Sequence, residues 1–319
     1  MAIDTVKVTV NGVTVNAVSN GDDTYTATLA APNVTSYNVN SGHYYPVTIV
    51  ATNKAGTATT VNDQTANIGN SLRLRVTEVT APVITFTSLT EHQYLDTARP
   101  HISFNLVDDI NENGIPIGSG VSIGQLRITV DGIQYTHTSP GVEVNAGDKN
   151  GYDVTWYPCS PLHEKDSLDD GSHTIKIEVT DYDGNYSTVT RQFYTDTVAP
   201  TLSITNPKNN TYVSTPKLTI TGTASDDVAG KPVVNLVLNG INQDYLNYEA
   251  GTNNFSKEIT LVNGENTLIF TATDKAGRST TITRKVYLDT SSPVVASVKI
   301  TPNPVNVGNS YVVTINVTG

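Results

Sequence analysis

Two turn glycines, Gly184 and Gly277, stand 93 residues apart, and so do the prolines that follow them, Pro200 and Pro293. One spacing measured at two places marks an internal repeat. The phrase it carries begins with Ile175, Ile177 and Val179 alternating with Thr174, Lys176, Glu178 and Thr180. That period of two places the apolar set on one face of a strand. Asp181-Tyr182-Asp183-Gly184-Asn185 supplies residues that tolerate positive φ, so the chain reverses there. Val189, Arg191, Phe193 and Thr195 share one face of the returning strand. Ala199-Pro200 ends it, because proline has no N–H for the ladder.

The second copy runs from Leu268 through the turn Asp274-Lys275-Ala276-Gly277 to Val286-Tyr287-Leu288 and the joint Asp289-Thr290-Ser291-Ser292-Pro293. An earlier copy ends at Asn53-Lys54-Ala55-Gly56, and Leu72, Leu74 and Val76 read as the strand closing its module before Ala81-Pro82. The expectation is an all-β chain of tandem sandwich modules: residues 1–80, 81–198 with an acidic insertion, and 199–290. Residues 291–319 hold two alternating segments, around Val298 and Ile300 and around Val313, Ile315 and Val317. Two strands are too few to stand alone, so this tail reads as a partial module or docking segment.

Hydrophobic residues make up 37% of the 319 and charged ones 15%, with 16 Tyr against 5 Phe and 1 Trp. That balance suits small cores under polar sheet faces. Trp156 sits on an alternating strand and reads as a core anchor. The single cysteine, Cys159, excludes an internal disulfide framework and reads as a packed thiol. Net charge is −11, and residues 81–198 alone hold seventeen acids against six bases. An acidic surface of this kind argues against nucleic-acid binding. The N-terminus has neither a basic nor an apolar segment of a signal peptide, and no run approaches the ~20 apolar residues of a membrane span.

At Ala/Val-Thr-Asp-x-x-Gly followed by Asp-Thr-x-x-Pro, the chain resembles bacterial immunoglobulin-like modules of surface proteins and of virion proteins of phages infecting Gram-positive bacteria. Ser41-Gly42-His43-Tyr44-Tyr45-Pro46-Val47 resembles the modules of phage tail-associated proteins, and Val298–Gly308 is similar to a segment recurring among them. The resemblance implies immunoglobulin-like β-sandwich modules in a row and a non-enzymatic structural or binding role. It implies a virion location with release by lysis, tail or baseplate proteins as docking partners, and a host cell-surface glycan or protein as the contact. The alternatives are the stalk or adhesin repeats of a bacterial surface protein, or a non-catalytic spacer of a glycan-degrading enzyme.

Two sets of candidate residues remain. Asp109-x-Asn111-x-Asn113-Gly114 matches the start of a calcium loop, where hard oxygen ligands alternate and glycine permits the turn. Its twelfth position is Gly120 rather than a bidentate Glu, so a polar inter-strand loop is the competing reading, with Asp108 and Glu112 as further oxygen donors. Asp181 and Asp183 read as turn formers. Tyr44, Tyr45, Tyr152 and Tyr157, with Tyr135, Tyr245 and Tyr248, are candidates for stacking on sugars or anchoring a protein contact; half-buried sheet tyrosines are the alternative. The six histidines show no metal-ligand spacing, and no nucleophile elbow or phosphate loop is present.

Overall fold

The computed structural model describes residues 2–109, 117–147, 151–160, 162 and 166–319. The chain divides into two compact units, Met1–Thr195 and Asp196–Gly319. Among the described residues both are built of strands, and the first also holds short 3-10 turns such as Ser36–Asn38 and Ile123–Gln125. Among the described residues no helix is long and apolar enough to cross a membrane.

The first unit opens with a sheet in the order Val13–Asn16, Ile3–Val10, Tyr45–Asn53, Ala58–Val61. Its first hairpin closes where Val10 faces Val13, across Asn11 and Gly12, both at positive φ. That is the turn an Asn-Gly pair favours. The expected closing strand differs. Gly69–Leu72 forms a 3-10 turn that buries Leu72, and only Arg73–Leu74 pairs, with Tyr45–Asn53. The tight turn carries Leu72 inward, and a two-residue strand remains.

Residues 83–195 form a sandwich. One sheet runs Val142–Ala146, Tyr152–Trp156, Ile102–Val107, Val83–Phe86, and the other Ile133–Thr136, Arg127–Val130, Gly171–Thr180, Tyr186–Thr195, Gln93–Leu95. Alternation fixes which face turns inward. Ile102, Phe104 and Leu106 from one sheet meet Ile128, Ile175, Ile177 and Phe193 from the other, all buried. Trp156 is fully buried and meets Tyr135 edge-on at 5.7 Å, the core anchor its strand position predicts.

The second unit repeats the plan. Thr201–Asn206, Lys217–Ser225 and Asn254–Thr260 form one sheet, and Thr211–Val213, Ser279–Leu288, Gly264–Thr273, Val233–Leu238 and Ile241–Tyr245 the other. Ile220, Leu236, Phe255, Phe270 and Val286 fill its core. The long hairpins of the two sandwiches are in the same register. Gly171 faces Thr195 in one and Gly264 faces Leu288 in the other, and the 93-residue offset holds at both ends. Val294–Thr301 pairs with Val312–Thr318 as the two-stranded C-terminal segment, and its residues are exposed.

Candidate functional site

The tyrosines singled out in the sequence are placed in different surroundings. Tyr44 donates its hydroxyl to Asp63 at 2.8 Å, under the Arg73 guanidinium, which lies 4.8 Å from the ring centroid. Tyr45 is buried, with its hydroxyl donating to the Val34 carbonyl at 3.0 Å, and so offers no surface for a ligand. Tyr45 opens the strand Tyr45–Asn53 and turns inward, while Tyr44 stands just before it. Tyr152 opens the strand Tyr152–Trp156 and packs on the core, whereas Tyr157 lies past its far end, stacked on His101 at 4.9 Å. Tyr135 is interior, and burial pushes its pKa up to about 12. Tyr248 donates to the Pro232 carbonyl, while Tyr245 is exposed. Two other pairs are stacked: Tyr94 on Tyr194 at 4.4 Å and Tyr212 on Tyr287 at 4.8 Å. Each pair bridges the short parallel strand and the long hairpin at one register position of its sandwich.

Asn111 and Asn113 lie outside the described residues. Asp109 uses its backbone carbonyl to accept from the Ile117 and Gly118 amides at 3.0 and 3.2 Å.

What the structure does bring together is carboxylates. In the first unit the turn at 181–185 grips the Ser36–Asn38 turn and the segment at Glu78. The Asp183 carboxylate accepts from the Thr35 hydroxyl at 2.6 Å and the Glu78 amide at 3.1 Å, and Tyr182 stacks on Tyr37 at 4.4 Å. Asn38 donates to the Gly118 carbonyl at 2.6 Å. Within this joint, one carboxylate oxygen from each of Glu78, Asp108 and Asp181 lies within 4.8 Å of the other two. Asp108 follows the strand Ile102–Val107, Asp181 heads the hairpin turn, and Glu78 stands four residues before Pro82. Backbone amides hold the set: Ser119 donates to Glu78 Oε1, Gly120 to Asp108 Oδ2, and Asn185 to Asp181 Oδ1. Glu78 Oε2 and Asp108 Oδ1 are buried and meet no donor. Burial, partly offset by the amide bonds, raises the pKa of both groups, and neighbouring carboxylates add to the shift.

The second unit holds the counterpart. Asp196 stands four residues before Pro200, Asp226 follows the strand Lys217–Ser225, and Asp274 heads the turn 93 residues after Asp181. Their carboxylate oxygens again lie within 4.8 Å of one another. Asp226 Oδ1 accepts from the Val228 and Ala229 amides and Asp274 Oδ1 from the Arg278 amide. Asp226 Oδ2, Asp274 Oδ2 and both oxygens of the fully buried Asp196 meet no donor at hydrogen-bonding geometry. Burial first, then Asp226 and Asp274, push the Asp196 pKa up to about 6; a weak backbone interaction with Val198 opposes them. Among the described residues no basic side chain forms an ion pair with any of the six acids. The sequence signal for this arrangement is an acid four residues before each joint proline, set against the first acid of each Thr-Asp turn.

Residues 200–290 match the family model of glucodextranase, domain B. No curated protein sequence matches the chain. Among solved structures, fibronectin(III)-like modules of Clostridium thermocellum CbhA align at 17% identity and a TM-score of 0.38, covering 65% of this chain and 94% of theirs. Tandem domains from titin align at 9% identity and a TM-score of 0.40, covering 88% and 86%. A tetra-tandem repeat in the extending region of a large adhesion protein aligns at 19% identity and a TM-score of 0.32, covering 99% and 80%.

Proposed function

We propose that the chain is a non-catalytic array of immunoglobulin-like modules that spaces and presents adhesive surface on a larger assembly. The observation that carries this reading is repetition. The same ten-pair hairpin register and the same acid-lined joint are built in two successive sandwiches. Duplicated scaffolding of this kind multiplies weak contacts, and many linked weak contacts raise effective concentration without a tight single site. The setting we propose is a virion of a phage of Gram-positive bacteria. One end docks on tail or baseplate proteins and the modules meet a host glycan or protein. The sequence motifs at Ser41–Val47 and Val298–Gly308 support that setting.

The match of residues 200–290 to a domain of glucodextranase favours a second reading, a spacer beside a glycan-degrading catalytic domain. The two separate in one experiment. The full chain is displayed on beads at one copy and at many, and retention on Gram-positive cells and on purified cell-wall glycan is measured. Retention that rises steeply with copy number supports the adhesive array. Retention independent of copy number refutes it, as does release of sugar from the glycan by the chain itself. Antibody against the chain that labels purified phage particles supports the virion setting; its absence from them removes it.

A further inference from the structure

We propose that each of the two carboxylate triads, Glu78–Asp108–Asp181 and Asp196–Asp226–Asp274, binds a calcium ion. The inference stands on the interior geometry of each unit and is independent of the adhesive reading. An acidic cluster at a surface explains itself by solvation; in each of these clusters two of the three acids are buried and the third, Glu78 or Asp226, is half-buried. Asp196 is 0% exposed, Asp181 2%, Asp108 7% and Asp274 8%. Buried polar atoms in a folded protein are almost always hydrogen-bonded, and a buried charge needs a partner. Here Asp196 has two oxygens without a donor, and Glu78, Asp108, Asp226 and Asp274 have one each. In each triad such oxygens belong to side chains that converge within 4.8 Å. A cation supplies the missing partner for all of them at once.

The donor set selects the metal class. All six side chains offer carboxylate oxygen, with no imidazole or thiolate, which suits a hard divalent ion and not zinc. Calcium binds oxygen at about 2.3–2.6 Å, so opposed ligands in its shell stand roughly 4.6–5.2 Å apart. A spread no wider than 4.8 Å fits inside that shell. The amides of Ser119, Gly120 and Asn185, and those of Val228, Ala229 and Arg278, bond one oxygen of each carboxylate other than Asp196 and fix their orientation. The Asn185 side chain takes the second oxygen of Asp181. Gly118 completes the first cradle. A Cβ there would stand 2.6 Å from Asp108 Oδ2 and from Glu78 Oε2.

The chain contains its own contrast. Asp289 stands four residues before Pro293, as Glu78 and Asp196 stand before Pro82 and Pro200, and residues 291–319 contain no acid. Asp289 is exposed and accepts from the Ser291 amide and hydroxyl, the bonds that lower its pKa. Where two further carboxylates meet the joint acid, at Glu78 and Asp196, it keeps at least one buried oxygen without a donor.

The test uses the full chain freed of metal by chelation, with calcium chloride as the probe. Titration calorimetry is expected to show two equivalents per chain, with magnesium competing weakly. Asp196→Asn is expected to leave one equivalent, Asp108→Asn the other, and the double variant none. Thermal unfolding supplies a readout that a purely structural acid would not move. In calcium the wild type unfolds above both variants, whereas in EDTA the order reverses, because Asn removes a repelled charge. The wild-type titration decides the matter even where a variant fails to fold. No calcium uptake at about 10 mM, well above the ~1 mM of weak extracellular sites, overturns the proposal. An unchanged order of stability with and without calcium overturns it equally.

Discussion

Truncating Phe270 to alanine tests whether each sandwich is a cooperative body with its own core. Phe270 is fully buried among Ile220, Leu236 and Phe255, and faces Ile282 across the long hairpin. Removing a buried phenylalanine side chain costs about 3–5 kcal/mol, the transfer of its ring plus the cavity left behind. A sandwich of this size has roughly 5–15 kcal/mol to lose. At about 4–8 °C per kcal/mol for a domain of 60–100 residues, the midpoint of that sandwich falls by about 15 °C or more. Calorimetry of the full chain is the assay, because it resolves separate transitions. The same loss at the equivalent position of the first unit, Ile177→Ala, is expected to lower a different transition by a comparable amount. The reasoning fails if Phe270→Ala and Ile177→Ala shift one and the same transition, or if either shift is below about 5 °C.

Three further outcomes follow from the geometry. His173 is buried, which lowers its pKa, but its contact with Asp131 at 2.6 Å and the Asp169 carbonyl raise it further, for a net rise. A raised folded pKa gives stability that is full below the ordinary histidine value and lost as pH climbs through the folded one. The urea midpoint of the first unit is therefore expected to drop as pH rises above the ordinary histidine value, and Asp131→Asn to flatten that drop. Asp183→Ala removes the acceptor for the Thr35 hydroxyl and Glu78 amide, at about 1.5–3 kcal/mol for hydrogen bonds to a charged group; hydrogen exchange at the Glu78 amide should accelerate well before global unfolding. Gly222→Val pushes a Cβ to 2.5 Å from the Ser203 carbonyl and the Phe255 ring. Urea unfolding should register about 1–3 kcal/mol of overpacking, and an unchanged midpoint would show that the strand yields.

Much of the fold was legible because β-structure writes itself locally. Ile175, Ile177 and Val179 alternate in the sequence and are all buried, and the spacing of two turn glycines carried through to ladder register. The joint was not legible, because its partners are distant. Asp181 and Asp183 do form the turn, with Asn185 donating to Asp181 as expected of such a residue. Their other neighbours, Glu78 and Thr35, lie more than a hundred positions away, and no period reaches that far. Leu72, Leu74 and Val76 show the opposite failure. Their alternation mimics a strand, while a 3-10 turn ends at Leu72.

The hairpin tips have one more consequence. In a sandwich the loops gather at two ends, and loops are ordinarily where insertions are tolerated. The tips at 181–185 and 274–277 are committed to side-chain contacts, so they are closed to such change. In the second unit, Asn239-Gly240 closes a hairpin at the opposite end, where the Asn239 side chain donates to Asn266 and accepts from the Thr267 amide. The matching turn of the first sandwich holds His173 and the Thr174 amide through Asp131, so both ends of each sandwich are tied and foreign peptides will be accommodated only away from these tips.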